Sequence, residues 1–185
     1  MEILDCVDEK GEPTGQRVTR KQAHREGIRH RTAHVWLLRK NRETIDVLLQ
    51  KRSDDKDSFP KCWDISSAGH IPAGADYKAS ALRELQEELG VTARPEELMD
   101  CGLMHFTYQG SFYGEPFVDD QICRIYILWR DVPESALVLQ TSEISKACWR
   151  PLDQVIEAVT ENRILNCMQP SELERVASWA RRRPD

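Results

Sequence analysis

Apolar positions along this chain fall in short strand-like runs on either side of one strongly helical segment. Residues 1–7 alternate as a strand does, and Asp8-Glu9-Lys10-Gly11-Glu12-Pro13-Thr14-Gly15 is dense in turn formers. The N-terminus, residues 1–30, is therefore expected to open as a hairpin or as a strand plus loop. Thr32 to Leu38 and Ile45 to Gln50 are β-branched and apolar runs parted by Arg39-Lys40-Asn41-Arg42-Glu43, which predicts two antiparallel strands. A polar loop containing Pro60 follows, then a short strand around Trp63 to Ser66. Asp76 to Leu89 reads as a helix, with Asp76 as N-cap, Leu82, Leu85 and Leu89 on one stripe, and Gly90 at the position that ends helices. Strands are expected from about Met99 to Tyr108 and near Gln121 to Trp129. Helices are expected over Pro151 to Val159, with proline at its first position, and over Ser171 to Arg181, so that the C-terminal helices occupy about 151–182. Arg181 to Arg183 suit a helix end, where cations meet the partial negative charge of the last carbonyls. No repeat, low-complexity tract or linker divides the sequence, which predicts one domain over 1–185, of α/β or α+β class with a mixed sheet.

Composition narrows the function classes. The 185 residues are 40% apolar and 31% charged, in keeping with one globular domain. With 26 Lys plus Arg against 31 Asp plus Glu, the net charge of −5 argues against a general polyanion binder. No apolar run approaches the ~20 residues that cross a bilayer, and MEILDCVDEKG lacks the pattern of a signal peptide, so the expected compartment is the cytosol. The cysteines at 6, 62, 101, 123, 148 and 167 are far apart and show no zinc-finger spacing; they are expected to be small buried hydrophobes.

The sharpest chemical feature is Arg83-Glu84-Leu85-Gln86-Glu87-Glu88-Leu89-Gly90-Val91. At about 100° per residue, Glu84, Glu87 and Glu88 share one arc beside the apolar stripe. Like charges four apart repel, and acids near a helix C-terminus oppose its dipole. The cluster is either a solvated face with an Arg83/Glu87 pair, or a set of hard oxygen ligands for Mg²⁺ or Mn²⁺. Just upstream, Ser66-Ser67-Ala68-Gly69-His70-Ile71-Pro72-Ala73-Gly74 supplies a strand end and two glycines where backbone can approach a ligand.

Together these residues resemble the Nudix box, G-x5-E-x7-R-E-U-x-E-E-x-G-U with U aliphatic. Gly69, Arg83, Glu84, Leu85, Glu87, Glu88, Gly90 and Val91 fit in register, and only the first glutamate departs, being Ala75. The resemblance implies an α/β/α sandwich around a mixed β-sheet and hydrolysis of a diphosphate joined to another group. It implies Glu84, Glu87 and Glu88 as ligands of Mg²⁺ or Mn²⁺, and Arg83 as the cation that orients a glutamate, these four forming the catalytic set. Gly69 and His70, with Lys51 and Arg52 at the end of the preceding strand, are the candidate substrate-binding residues. Ala75 puts the metal count or the loop in question, and Asp76 is a candidate to compensate.

Beyond the box the chain resembles the branch nearest the isopentenyl diphosphate isomerases, through His24, His30 with Trp36 six residues on, Trp63-Asp64-Ile65-Ser66-Ser67-Ala68-Gly69-His70 and Val118-Asp119-Asp120-Gln121-Ile122-Cys123. In those enzymes groups matching His24, His30, His70, Glu88, Asp119 and Gln121 surround a metal, and a cysteine at the position of Ala68 moves a proton. An alanine methyl cannot do so, and the amide of Gln121 is a poorer ligand than an acid. Arg17, Arg20, Lys21 and Arg25 form either a solvated face or a contact for substrate phosphates. Glu87, Glu115, Asp119, Asp120 and Glu143 are all candidate general bases. Phe106, Tyr108, Phe112, Tyr113 and Phe117 are core residues or the frame of a base or sugar. The expectation is a metal-dependent hydrolase acting on a small, nucleoside-diphosphate-linked substrate. The rivals are a prenyl diphosphate isomerase and a Nudix-fold binding module. Neither a membrane nor a nucleic-acid polymer is an expected partner, and a homodimer is allowed.

Overall fold

Turn chemistry folds the N-terminus back on itself. In the computed structural model, which describes residues 2–182, β1 (Ile3–Val7) and β2 (Pro13–Thr19) pair antiparallel as a separate two-stranded sheet. The basic stretch that follows is a short helix, α1 (Arg20–Glu26), with Lys21 and Arg25 on its solvated side. Thr19 caps its first turn by accepting the Gln22 N–H, and Gly27 ends it at φ 65°. Ala23 and His24 are buried on its inner side.

The main sheet has seven strands. β3 (His30–Asn41) turns into β4 (Thr44–Arg52), and the two pair antiparallel as expected, with Leu38 opposite Val47. β5 (Trp63–Asp64) joins β4, and β6 (Ser67–His70) joins β3. β3 and β4 thus diverge, and the bend at Ser66 fills the fork. Its hydroxyl accepts the Leu37 N–H at 2.8 Å and donates to the Leu48 carbonyl at 2.6 Å, so neither backbone group is left unpaired inside the protein. β7 (Leu98–Phe112) and β8 (Glu115–Trp129) form a hairpin longer than the sequence suggests, and β8 lies parallel to β3. β9 (Ile144–Pro151) completes the sheet beside β4.

Alternation along β3 creates two cores. Ala33, Val35 and Leu37 face α2 (Tyr77–Leu89), while Trp36 and Leu38 face the layer of α3 (Leu152–Thr160) and α4 (Pro170–Arg181). Helices on both faces of a mixed sheet give the α/β/α arrangement. Pro151 is the last residue of β9 and the N-cap of α3, whereas Pro170 holds the first helical position of α4. Arg183 of the expected C-terminal arginine run lies outside the described residues.

α2 starts where Asp76 accepts the N–H groups of Lys78 and Ala79, and stops at Gly90, whose φ is 69°. Ala81, Leu85 and Leu89 are fully buried against the sheet. Leu85→Ala should therefore lower unfolding free energy by roughly 2–5 kcal/mol, read from denaturant titration. Five of the six cysteines are buried, and among the described residues none forms a disulfide. No helix among the described residues is long and apolar enough to span a membrane.

Candidate active site

The fork between β3 and β4 opens onto a cavity of about 320 Å³. One wall is the outer edge of α2, where Arg83, Glu84, Glu87 and Glu88 come together as their helical spacing predicts. The four are graded in burial: Glu88 is inside, Glu84 half-buried and Glu87 exposed. Arg83 bridges two of them, donating to Glu84 at 2.5 Å and to Glu87 at 2.7 Å. The Glu88 carboxylate accepts the Ala68 N–H at 3.2 Å and faces the Gln50 amide at 3.5 Å. Burial pushes Glu84 up to about 7, against the pull of Arg83, and pushes Glu88 up to about 8. In Glu84 the cost of desolvation outweighs the Arg83 contact, and no cation stands among the groups that act on Glu88.

Gly69 is where backbone meets this wall. A Cβ added there would lie 2.2 Å from the Glu84 carboxyl carbon, so the absent side chain makes room for the carboxylate. Arg52 lines the cavity and donates to Asp64 at 3.1 Å. Lys51, the next residue along the strand, has its side chain on the other face and does not line the cavity. Arg20 also reaches the cavity, paired to Asp57 at 3.2 Å, and Lys56 pairs with Glu143 at its rim.

His24 and His70 line the cavity and His30 is fully buried beside them; the ligand atoms of the three all lie within 4.8 Å of one another. The Nε2 atoms of His24 and His70 are 3.0 Å apart. His30 lies 2.9 Å from the Ile28 carbonyl through Nδ1, which places the proton there and leaves the Nε2 lone pair facing inward. That atom is 3.5 Å from Asp119 Oδ1, which is 3.7 Å from His24 Nδ1. All three atoms are buried and without a hydrogen bond. Burial drives His24 down to about 3 and His30 and His70 below their ordinary values, and lifts Asp119 to about 7. Neutral imidazole nitrogens and a carboxylate oxygen gathered this closely, with no hydrogen-bond partner, fit a cation. Their mixed nitrogen and oxygen character suits Mn²⁺ or a later transition ion, whereas the α2 carboxylates suit Mg²⁺ as well.

Of the candidate bases, Glu87, Asp119 and Glu143 line the cavity. Asp120 points to the other face of β8, held by Arg29 and His105 at 2.8 Å each, and Glu115 lies exposed at the hairpin tip. The aromatics divide as well. Phe117 stacks on His24 with ring centres 4.5 Å apart, and Phe106 also lines the cavity. Tyr108 and Phe112 pack against Phe59, a cavity residue that the sequence did not single out. Tyr113 lies outside, its hydroxyl donating to the Lys56 carbonyl.

The departure at Ala75 also has a physical account. Asp76 does not replace the missing glutamate, because its carboxylate caps α2. Buried Asp5 of β1 instead accepts the Gly74 N–H at 2.6 Å, Arg31 at 3.2 Å and Arg17 at 3.1 Å, while Arg31 donates to the Ala75 carbonyl. A carboxylate from outside the box thus fastens the loop, and Ala75 packs against the α2 core.

The profile of the NUDIX domain matches residues 28–167. The chain belongs to the Nudix hydrolases. It is 39% identical over 160 residues to Nudix hydrolase 3 of Arabidopsis thaliana, a match covering 83% of this chain and 20% of that protein. It is 34% identical over 143 residues to a Nudix hydrolase of Clostridium acetobutylicum, covering 77% of this chain and 66% of the relative. The chain therefore spans only a fifth of the plant relative's length and 66% of the bacterial one. A solved Deinococcus radiodurans protein shares the fold with a TM-score of 0.69 at 20% identity, covering 94% of this chain and 98% of its own.

Proposed function

We propose that this hydrolase is metal-dependent and cleaves a diphosphate bond in a small, nucleoside-diphosphate-linked molecule. The observation that carries the reading is the pairing of Glu84 and Glu88, displaced toward neutrality by burial, with the exposed Glu87 on one wall of a cavity that also presents Arg20, Arg52 and Lys56. Glu84, Glu87 and Glu88 would hold Mg²⁺ or Mn²⁺, with His24, His30, His70 and Asp119 as a second donor set. A bound dication supplies charge neutralisation on the phosphates and a more acidic water. Arg83 keeps the Glu84 and Glu87 carboxylates turned toward the cavity. Arg20 and Arg52 offer charge-assisted donors to phosphate oxygens, and His70, with the bare backbone of Gly69, borders the seat of the diphosphate. Phe59, Phe106 and Phe117 give a planar group somewhere to stack and shield the site from water.

The test is a panel of nucleoside diphosphates, nucleotide sugars and dinucleotides with Mg²⁺ or Mn²⁺, assayed for inorganic phosphate or nucleoside monophosphate. Wild type should turn over at least one member, and Glu87→Gln should lower that rate by about 100-fold or more with its Tm retained. Equal rates for variant and wild type would remove Glu87 from the ligand set. The histidine trio favours a second reading, isomerisation of a prenyl diphosphate, which Ala68 and Gln121 oppose. Alkene migration in isopentenyl diphosphate, run as one arm of the panel, would favour it.

Linkage gives a further expectation. In the metal-free native state Glu84 and Glu88 hold their protons to about 7 and about 8, while the unfolded chain releases them near 4.5. Between those values the native state binds more protons, so these two groups make metal-free stability fall as pH rises. A dication requires the ionised forms and offsets that loss. The Tm gain from Mn²⁺ should be larger at pH 8 than at pH 6, with proton release on binding; a gain independent of pH would contradict the assignment.

A further inference from the structure

Behind the cavity lies a buried polar network that the proposed hydrolysis does not yet use. His34, on β3, is 2.9 Å from Glu172 through Nδ1, and the Trp36 indole donates to the same carboxylate oxygen at 2.8 Å. Glu172 comes from the first turn of α4, 138 residues away, and is 3% exposed. Removing a carboxylate from water is costly, and apolar packing would join helix to sheet at least as well. What the network does accomplish is to fix a ring. With Nδ1 held on Glu172, Nε2 points the opposite way, toward the cavity that His34 lines, where it meets the Thr32 hydroxyl at 3.4 Å.

His34 also stands in the right place. In the antiparallel pairing of β3 with β6 it lies directly across from Ala68, whose N–H is held by Glu88. Residues so opposed have Cβ atoms about 5 Å apart. The Ala68 methyl shares the α3/α4 face with His34, whereas the Cβ position of Gly69 beside it points to Glu84, so His34 and the carboxylates border the one cavity from opposite faces of the sheet. The groups facing the ring are Glu172 from α4, Asp64 from β5, and Asp119 and Cys123 from β8. A donor cation is therefore well supported among them.

We propose that His34 is a substrate-contacting residue of this hydrolase, its Nε2–H donating to an oxygen of the bound diphosphate, and that Glu172 is the positioning residue that turns the ring. The proposal rests on the diphosphate reading above. Asparagine and glutamine separate its two halves: His34→Asn keeps a donor near the Nδ1 position for Glu172 and has none at Nε2, whereas His34→Gln places an amide nearer Nε2.

The experiment is calorimetric titration of wild type and both variants with imidodiphosphate and Mg²⁺, with Tm measured on the same samples. His34→Asn should weaken binding by about 10- to 100-fold, the range for a hydrogen bond to a charged group, with Tm little changed, and His34→Gln should recover part of the loss. Wild-type affinity in His34→Asn overturns the proposal, as does weakening that merely follows a fall in Tm, or a wild type that binds no imidodiphosphate. Should His34→Asn fail to fold, the Nε2 resonance of isotope-labelled His34 in wild type decides: it shifts on adding imidodiphosphate, or the contact does not exist. Turnover of the substrate panel separates the two readings. Hydrolysis by wild type with undiminished binding in His34→Asn removes only the His34 contact, and His34-dependent binding without hydrolysis removes only the hydrolase reading.

Discussion

Glu88→Gln is expected to lower kcat/KM on any hydrolysed diphosphate by about a thousandfold, the equivalent of roughly 4 kcal/mol of transition-state stabilisation. The exchange is nearly isosteric. The amide oxygen can still accept the Ala68 N–H, and the neighbouring Leu85 and Leu89 remain in their packing. What disappears is the negative charge of the most buried carboxylate on the wall. Because Glu88 is pushed up to about 8 by burial, the metal-free protein should tolerate the neutral amide well and melt at or above the wild-type Tm at pH 8. Loss of activity and of the Mn²⁺-induced Tm gain, alongside an undiminished metal-free Tm, is the signature of a ligand. A variant that keeps its rate within threefold or so of wild type would remove Glu88 from the chemistry.

Gly69→Ala should be almost as damaging by a different route. The new methyl would meet Glu84 Cδ at 2.2 Å and its Oε1 at 2.3 Å, well inside any tolerable contact. Glu84 Cγ lies at 2.4 Å as well, so the conflict is relieved only by rotating the whole Glu84 side chain away from the wall. Arg83 would then lose its 2.5 Å partner, and the wall would lose the placement of one of its three acids. We expect a fall in kcat/KM of about 100-fold or more, since such misplacement is costly even without loss of the group itself, with Tm lowered by only a few degrees. Kinetics and differential scanning calorimetry on one preparation check both parts. An active Gly69→Ala would mean that Glu84 works from some other position.

How much of this was legible beforehand depended on distance along the chain. The box residues could be placed because one helix carries them and helical geometry dictates their shared arc. Asp76 and Gly90 were readable for the same reason, since capping is local. α1 was hidden by its charge, although Thr19 and Gly27 flank it as cap residues do; only tertiary contact reveals that His24 is turned inward. The polar segments Gln109-Gly110-Ser111 and Glu115 conceal the length of the β7–β8 hairpin, although Met104, Phe106, Tyr108 and Phe112 alternate along its inner face. Lys51 and Arg52 looked alike in sequence, and strand alternation alone assigns them to different faces. Asp5 fastening Gly74 and Glu172 orienting His34 join parts of the chain 69 and 138 residues apart, and no local pattern announces such pairs.

The fastening of the box loop from β1 bears on how this protein should be trimmed for experiment. A fragment cut to residues 28–167, the span of the family match, would retain every acid of the box. It would discard Asp5, Arg17, Arg20 and His24 at one end and Glu172 at the other. Such a minimal catalytic core would carry the family's signature while lacking its own scaffolding, and an inactive truncate would say nothing about the intact enzyme.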